Sequence, residues 1–263
     1  MARILTGLPA VRAGFVVAGA LLALGLAAGP AQASVLQFNF GTTVSNSGLG
    51  TCSSSGNCNL GSNQVSYTQS GVTVGADSYA TSGNTISSAN TDVSQRFVTP
   101  LGSNGADESG LGVFSGTDSI SNGSSLEISS SEYLLIDNSN AINQGYTLAS
   151  ISLGSIQSGE GGAIDIYGAS SVGSTLDPTK LTLLASLQNP PNVATLQTYD
   201  FAAAAAYDYL VITASNPSSS TGNVLVQQVS YNSPQSVPEP GTLALMGTFL
   251  VGFVLLRRRR FSA

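Results

Sequence analysis

At 263 residues the chain has room for one well-buried core, or two small ones, once its two unusual ends are set aside. It contains no histidine, which removes His-based triads, Cys–His pairs and most catalytic zinc and iron sites. Charged residues make up only 8% of it, against about 25% in an average soluble domain. Of its 14 acids all but Glu239 lie between Ser34 and Ser236, where Arg96 and Lys180 are the only bases, so this stretch repels nucleic acid and anionic lipid.

The N-terminus reads as a secretory signal. Arg3 and Arg12 give a weakly positive start, an apolar run follows from Phe15 to Ala28, and Ala31-Gln32-Ala33 has the small-x-small form that a signal peptidase pocket admits. Cleavage between Ala33 and Ser34 is expected, removing residues 1–33 and exporting the rest. Cys52 and Cys58 follow, separated by Ser-Ser-Ser-Gly-Asn. In an oxidising compartment they are expected to form a disulfide that staples a local loop, worth roughly 2 kcal/mol at best. Their spacing is longer than a C-x-x-C redox signature, and no histidine is present to complete a common zinc set.

From here the chain reads as β almost throughout. Candidate strands are Val35 to Phe40, Val65 to Thr68, Val72 to Val74 after a Ser70-Gly71 break, Gln95 to Val98, Gly112 to Ser115, Leu126 to Ser129 and Tyr133 to Asp137. Later ones are Tyr146 to Leu153, Ala163 to Tyr167, Leu181 to Leu187, Thr195 to Phe201, Tyr209 to Ala214 and Val224 to Tyr231. They are short, rich in Val, Ile, Leu, Tyr and Thr, and separated by Gly, Ser, Asn or Pro. Without intervening helical patterns, such a series predicts an all-β fold, a β-sandwich or jelly-roll-like ectodomain over residues 34–231, with 232–237 as a linker. The five alanines Ala202 to Ala206 are too few to nucleate a helix and read as a loop or a single helical turn.

The densest acidic segment is Gly105 to Asp118. Asp107, Glu108 and Asp118 are candidate hard-oxygen ligands for calcium, although their spacing is not that of an EF-hand loop. No other cofactor is expected. Carboxylates could in principle hydrolyse glycosides, but no tryptophan is present to stack a sugar ring, and the chain is not expected to be an enzyme.

The C-terminus carries the most specific pattern. Pro238-Glu239-Pro240 is followed by the uncharged run Thr242 to Leu256, then by Arg257, Arg258, Arg259 and Arg260. As a helix, 242–256 spans about 22 Å, short against a bilayer core of about 30 Å but workable with snorkelling arginines and local thinning. Clustered arginines stay on the cytoplasmic side, in agreement with an exported N-terminus. The prolines hold the preceding chain extended and accessible.

Motif, apolar helix and arginine cluster in this order resemble the PEP-CTERM sorting domain of exported bacterial proteins, over residues 238–263. The resemblance implies a Gram-negative host that has an exosortase and makes exopolysaccharide. It also implies an inner-membrane-anchored precursor with its ectodomain outside, recognised at Pro238, Glu239 and Pro240 and cut nearby, then released to the envelope or matrix. Signal peptidase, exosortase, membrane and exopolysaccharide are the partners expected. For the middle region the expected role is structural or adhesive, in a matrix or biofilm, with a lectin-like carbohydrate-binding module, calcium-dependent or not, as the alternative.

Overall fold

A run of β-branched and aromatic residues broken by turn formers has one economical solution, which is to pair with its neighbours and bury one face. The computed structural model shows this outcome. It describes residues 34–48, 50–52, 56–97, 109–115, 118, 126–154, 163–188, 197–202, 207–215, 224–234, 247 and 249–250. The chain divides into two compact units, Ser34–Pro234 and a second made of residues 1–33 with 235–263. In the second unit Gly247, Phe249 and Leu250 are helical. Among the described residues no helix is long and apolar enough to cross a membrane.

The first unit is built from strands β1 (Val35–Asn39), β2 (Thr51–Cys52), β3 (Asn57–Asn59), β4 (Gln64–Gln69), β5 (Val72–Ser82), β6 (Thr85–Ser87), β7 (Thr91–Arg96) and β8 (Gly110–Ser115). It continues with β9 (Glu132–Asp137), β10 (Thr147–Gly154), β11 (Ala163–Ala169), β12 (Thr175–Leu176), β13 (Thr182–Gln188), β14 (Gln197–Asp200), β15 (Tyr209–Ser215) and β16 (Leu225–Asn232). A short helix, α1 (Ser139–Asn143), follows β9. One sheet runs β14-β10-β16-β8-β7-β3-β2, with β1 also on β16; the other runs β12-β6-β5-β9-β15-β11-β13, with β4 on β5. Every pairing is antiparallel. The all-β expectation is met as a two-sheet sandwich.

The core lies between the sheets, and the strand alternation puts it there. In the second sheet Val72, Val74 and Ala76 of β5 face inward beside Leu134 and Ile136 of β9, Leu210 and Ile212 of β15, and Ile164 and Ile166 of β11. The first sheet answers with Phe38, Val93, Leu111, Val113, Ile151, Val226 and Tyr231, all fully buried. Phe40 packs edge-on against Tyr67 at 4.9 Å between centroids. Two buried polar links cross the sandwich. Tyr67 Oη donates to Gln95 Oε1 at 3.2 Å, while Gln95 Nε2 donates to the carbonyls of Phe40 and Thr43. Tyr231 Oη donates to Asn138 Oδ1 at 2.5 Å. Each satisfies groups that would be costly to bury alone.

Some elements depart from the sequence reading. Leu126 to Ser129 is not a strand. Leu126 and Ile128 are fully buried, but the Leu126 carbonyl accepts the Ser94 hydroxyl and the Ile128 N–H donates to the Val224 carbonyl, outside any ladder. Strand β5 runs on to Ser82, well past Val74, because Gly75, Asp77 and Tyr79 alternate with inward residues rather than breaking them. The short β2, β3, β6 and β12 and the helix α1 carry too few residues to show a period. Of the alanine run only Ala202 lies among the described residues.

Candidate functional site

The two faces of the second sheet differ. Opposite the core, β5 presents Thr73, Gly75, Asp77 and Tyr79, β9 presents Tyr133, Leu135 and Asp137, β15 presents Tyr209, Val211 and Thr213, and β11 presents Asp165 and Tyr167. Part of this outer face is closed by a second apolar cluster in which Tyr79, Ile86, Leu135 and Val211 meet Leu176 of β12. A 3-10 turn, Pro178–Lys180, follows β12, and the Asp177 carboxylate caps it by accepting the Thr179 N–H at 3.0 Å. Where the cover ends, a cleft of about 300 Å³ opens, lined by Gln64, Asp77, Tyr79, Asp137 and Tyr209 among others. A second cleft of about 320 Å³ adjoins it and shares Gln64 and Asp137.

Register explains why these side chains meet. Gln64 lies opposite Asp77 across β4–β5, Gly75 lies opposite Asp137 across β5–β9, and Asp137 lies opposite Tyr209 across β9–β15. Asp77 and Asp137 are therefore diagonal neighbours on one face, a spacing of roughly 7–8 Å between backbones that side chains can close. Gly75 has a steric role here, since a Cβ would stand 3.0 Å from the Asp137 Cβ. Asp137 Oδ1 accepts the Ser139 N–H at 2.9 Å, which fixes that carboxylate at the start of α1. Tyr79 Oη donates to the Gly173 carbonyl at 3.0 Å and pins the covering segment.

Asp77 stands apart. Only 9% of it is exposed, and its Oδ1 has no hydrogen-bond partner. Burial pushes its carboxyl up to about 6; a hydrogen bond from the Gln64 side chain works against that shift, and the charge of Asp137 adds to it. Tyr209 is also raised, by partial burial first and then by the charges of Asp137, Asp208 and Asp77. Among the described residues no basic side chain lines this cleft. Arg96 pairs with Glu127 at 2.8 Å and Lys180 lies near Asp177 at 3.9 Å.

The residues singled out from sequence lie elsewhere. Asp107 and Glu108 fall outside the described residues. Asp118 closes a turn after β8, its Oδ2 accepting the Ser115 N–H at 2.5 Å and the Ser115 hydroxyl at 3.2 Å. Burial raises the Asp118 carboxyl, and these bonds oppose the rise. Glu132 is raised by burial first, with the charge of Asp118 contributing, so the two acids are near one another. Among the described residues no group of three or more Asp, Glu, His or Cys could hold a metal ion. Cys52 and Cys58 are direct register partners across the β2–β3 hairpin, and Cys58 is buried. Ser34 sits beside the last strand, its carbonyl accepting the Ser233 N–H at 2.9 Å, so the body begins and ends at one place. Ala33, Pro238, Glu239, Pro240 and Arg257 to Arg260 lie outside the described residues.

The cleft itself was not singled out from sequence. The signal available was an Asp at the centre of the long strand segment "VTVGADSYATS", two residues from a Tyr, where a charge sits badly unless the face is used.

Comparison with curated proteins gives no match. Among solved structures, the CBM32 of AlyQ in complex with 4,5-unsaturated mannuronic acid is similar at 19% identity, over 40% of this chain and 70% of that one, with a TM-score of 0.24. Residues 236–260 match the PEP-CTERM protein-sorting motif, the mark of an exported protein that exosortase processes.

Proposed function

We propose that the protein is an envelope or extracellular-matrix component with a structural and adhesive role, and that its sandwich holds exopolysaccharide against the outer face of the second sheet. The observation that carries this reading is the cleft where the partly exposed Tyr209 stands beside Asp77, Asp137 and Gln64. Aromatic rings offer a sugar an apolar face, and carboxylates and amides accept or donate to its hydroxyls. The test is retention of the full-length chain, in mild detergent, on the host's own exopolysaccharide. Tyr209→Ala is expected to weaken retention about 3–10-fold, the worth of one aromatic contact. Unchanged retention would move the contact off this face. Saturable competition by short oligosaccharides marks a lectin-like module, and bulk retention without competition marks matrix scaffolding.

The rest of the proposed life history takes its support from the sorting motif at 236–260 and from the pattern of the two chain ends. Signal peptidase cuts between Ala33 and Ser34, residues 242–256 hold the precursor in the inner membrane of a Gram-negative cell, and Arg257 to Arg260 remain in the cytoplasm. Exosortase then engages Pro238, Glu239 and Pro240. The oxidising space outside the membrane favours a Cys52–Cys58 disulfide, for which their register across one hairpin is well suited. Labelling by a thiol reagent without prior reduction would refute that bond. The chain is proposed to be non-enzymatic, and calcium binding at Asp107, Glu108 and Asp118 remains a separate proposal, tested by Asp107→Ala.

A further inference from the structure

Asp77 is a buried acid that the fold leaves incomplete. Its side chain lines the cleft although more than nine-tenths of the residue is buried, and Oδ1 has no hydrogen-bond partner. A buried acceptor is ordinarily satisfied by protein or solvent. Around it the sheet register assembles a second carboxylate, Asp137, and the Gln64 amide, while Asn63 and Ser88 line the same cleft. Among the described residues that line the cleft, the donors are hard oxygens, without sulfur or imidazole, and no ammonium or guanidinium lines it.

We propose that Asp77 and Asp137 hold a divalent cation of the calcium type in the cleft, and that the ion offers its open positions to saccharide hydroxyls. Calcium suits the position better than magnesium because it accepts six to eight oxygens in irregular arrangements, whereas magnesium demands a near-ideal octahedron. Two carboxylates cannot fill such a shell. The remainder falls to amide oxygens, water and a ligand, which places the affinity in the weak range of extracellular modules, about 10⁻⁴–10⁻³ M. The ion site stands on the geometry of Asp77; only its bridging role rests on the adhesive reading above.

The experiment is thermal unfolding of the full-length chain in detergent at neutral pH, comparing EDTA with about 10 mM CaCl₂ or MgCl₂, a calcium level at or above the expected dissociation constant. Wild type is expected to gain about 3 °C or more in calcium and less in magnesium. Asp77→Asn and Asp137→Asn are expected to lose the gain. A midpoint for Asp77→Asn in EDTA at or above wild type shows that the variant is folded. No calcium response in wild type, or an equal response in both variants, overturns the site. A calcium response with retention on polysaccharide that EDTA does not reduce leaves the ion in place and removes its bridging role. A calcium response with no retention at all removes the adhesive reading and keeps the ion.

Discussion

At the residue scale, Asp77 ties stability to pH in a direction opposite to that of a salt-bridged carboxylate. Its folded-state value of about 6 lies above the ordinary carboxylate value, because burial disfavours the ion and Asp137 repels it. Between pH 4 and 6, roughly, the folded protein keeps a proton that the unfolded chain has released, so stability falls as pH rises through that window and stays lower above it. The full shift would correspond to about 3 kcal/mol, and water in the open cleft reduces this to something on the order of 1–2 kcal/mol. In EDTA, Asp77→Asn is therefore expected to stabilise the protein at neutral pH by that amount and to flatten the difference between acid and neutral midpoints. The check is urea unfolding of wild type and variant across the window; parallel curves would show that Asp77 ionises freely. Among the described residues, the groups facing Asp77 are Gln64 from β4, Asp137 from β9, Tyr79 from its own strand and Tyr209 from β15, and of these Asp137 is the other carboxyl. This residue shows where sequence reading stops. An Asp inside an apolar strand can be seen to be unusual, but its partners come from positions 64, 137 and 209, and only sheet register brings them together.

At the element scale, the β4–β5 hairpin was legible because its chemistry is local. Ser70-Gly71 breaks the strand pattern in the sequence, and both residues have positive φ, 53° and 79°, with Gln69 opposite Val72. That is a two-residue turn of the type whose twist matches paired strands. It makes two substitutions act in opposite directions. Gly71→Ala places a Cβ in the left-handed region and is expected to cost about 1–2 kcal/mol. Ser70→Asn puts a residue tolerant of that region at an exposed position and is expected to add a few tenths of a kcal/mol or more. Chemical denaturation of both variants checks the pair; the same sign for both would disprove the turn. Most strands of five or more residues were legible for a related reason, since alternation needs several residues to show; β7 (Thr91–Arg96) was not, the sequence pattern placing a strand at Gln95 to Val98 instead. β2, β3, β6 and β12 have two or three residues each and owe their existence to a neighbour already in place. Leu126 to Ser129 failed in the other direction. Its composition is that of a strand, yet the Ser94 hydroxyl and the Val224 carbonyl take its backbone groups, and the Leu126 carbonyl lies where a side chain at Gly112 would stand.

At the scale of the whole molecule, the sandwich is a compact unit from Ser34 to Pro234, and the sorting motif at residues 236–260 lies beyond it. Ser34 and Ser233 are hydrogen-bonded to one another, so removing the segments on either side leaves the last strand and its partner β1 intact. The fold thus tolerates the processing that the sorting motif at 236–260 directs. The motif was fully legible because its parts follow one another along the sequence. The candidate face of the sandwich was not, because its residues come from four strands. Within the motif, Glu239 is the one acid, flanked by two prolines. Glu239→Ala is expected to block exosortase processing while leaving export and the sandwich untouched. The precursor should then accumulate in the membrane fraction with residues up to Ala263 attached, and deletion of the exosortase should give the same mass and location. A mature mass and distribution unchanged by either lesion would mean that the C-terminal segment is an ordinary anchor. In that case the body would stay tethered to the membrane rather than pass to the matrix.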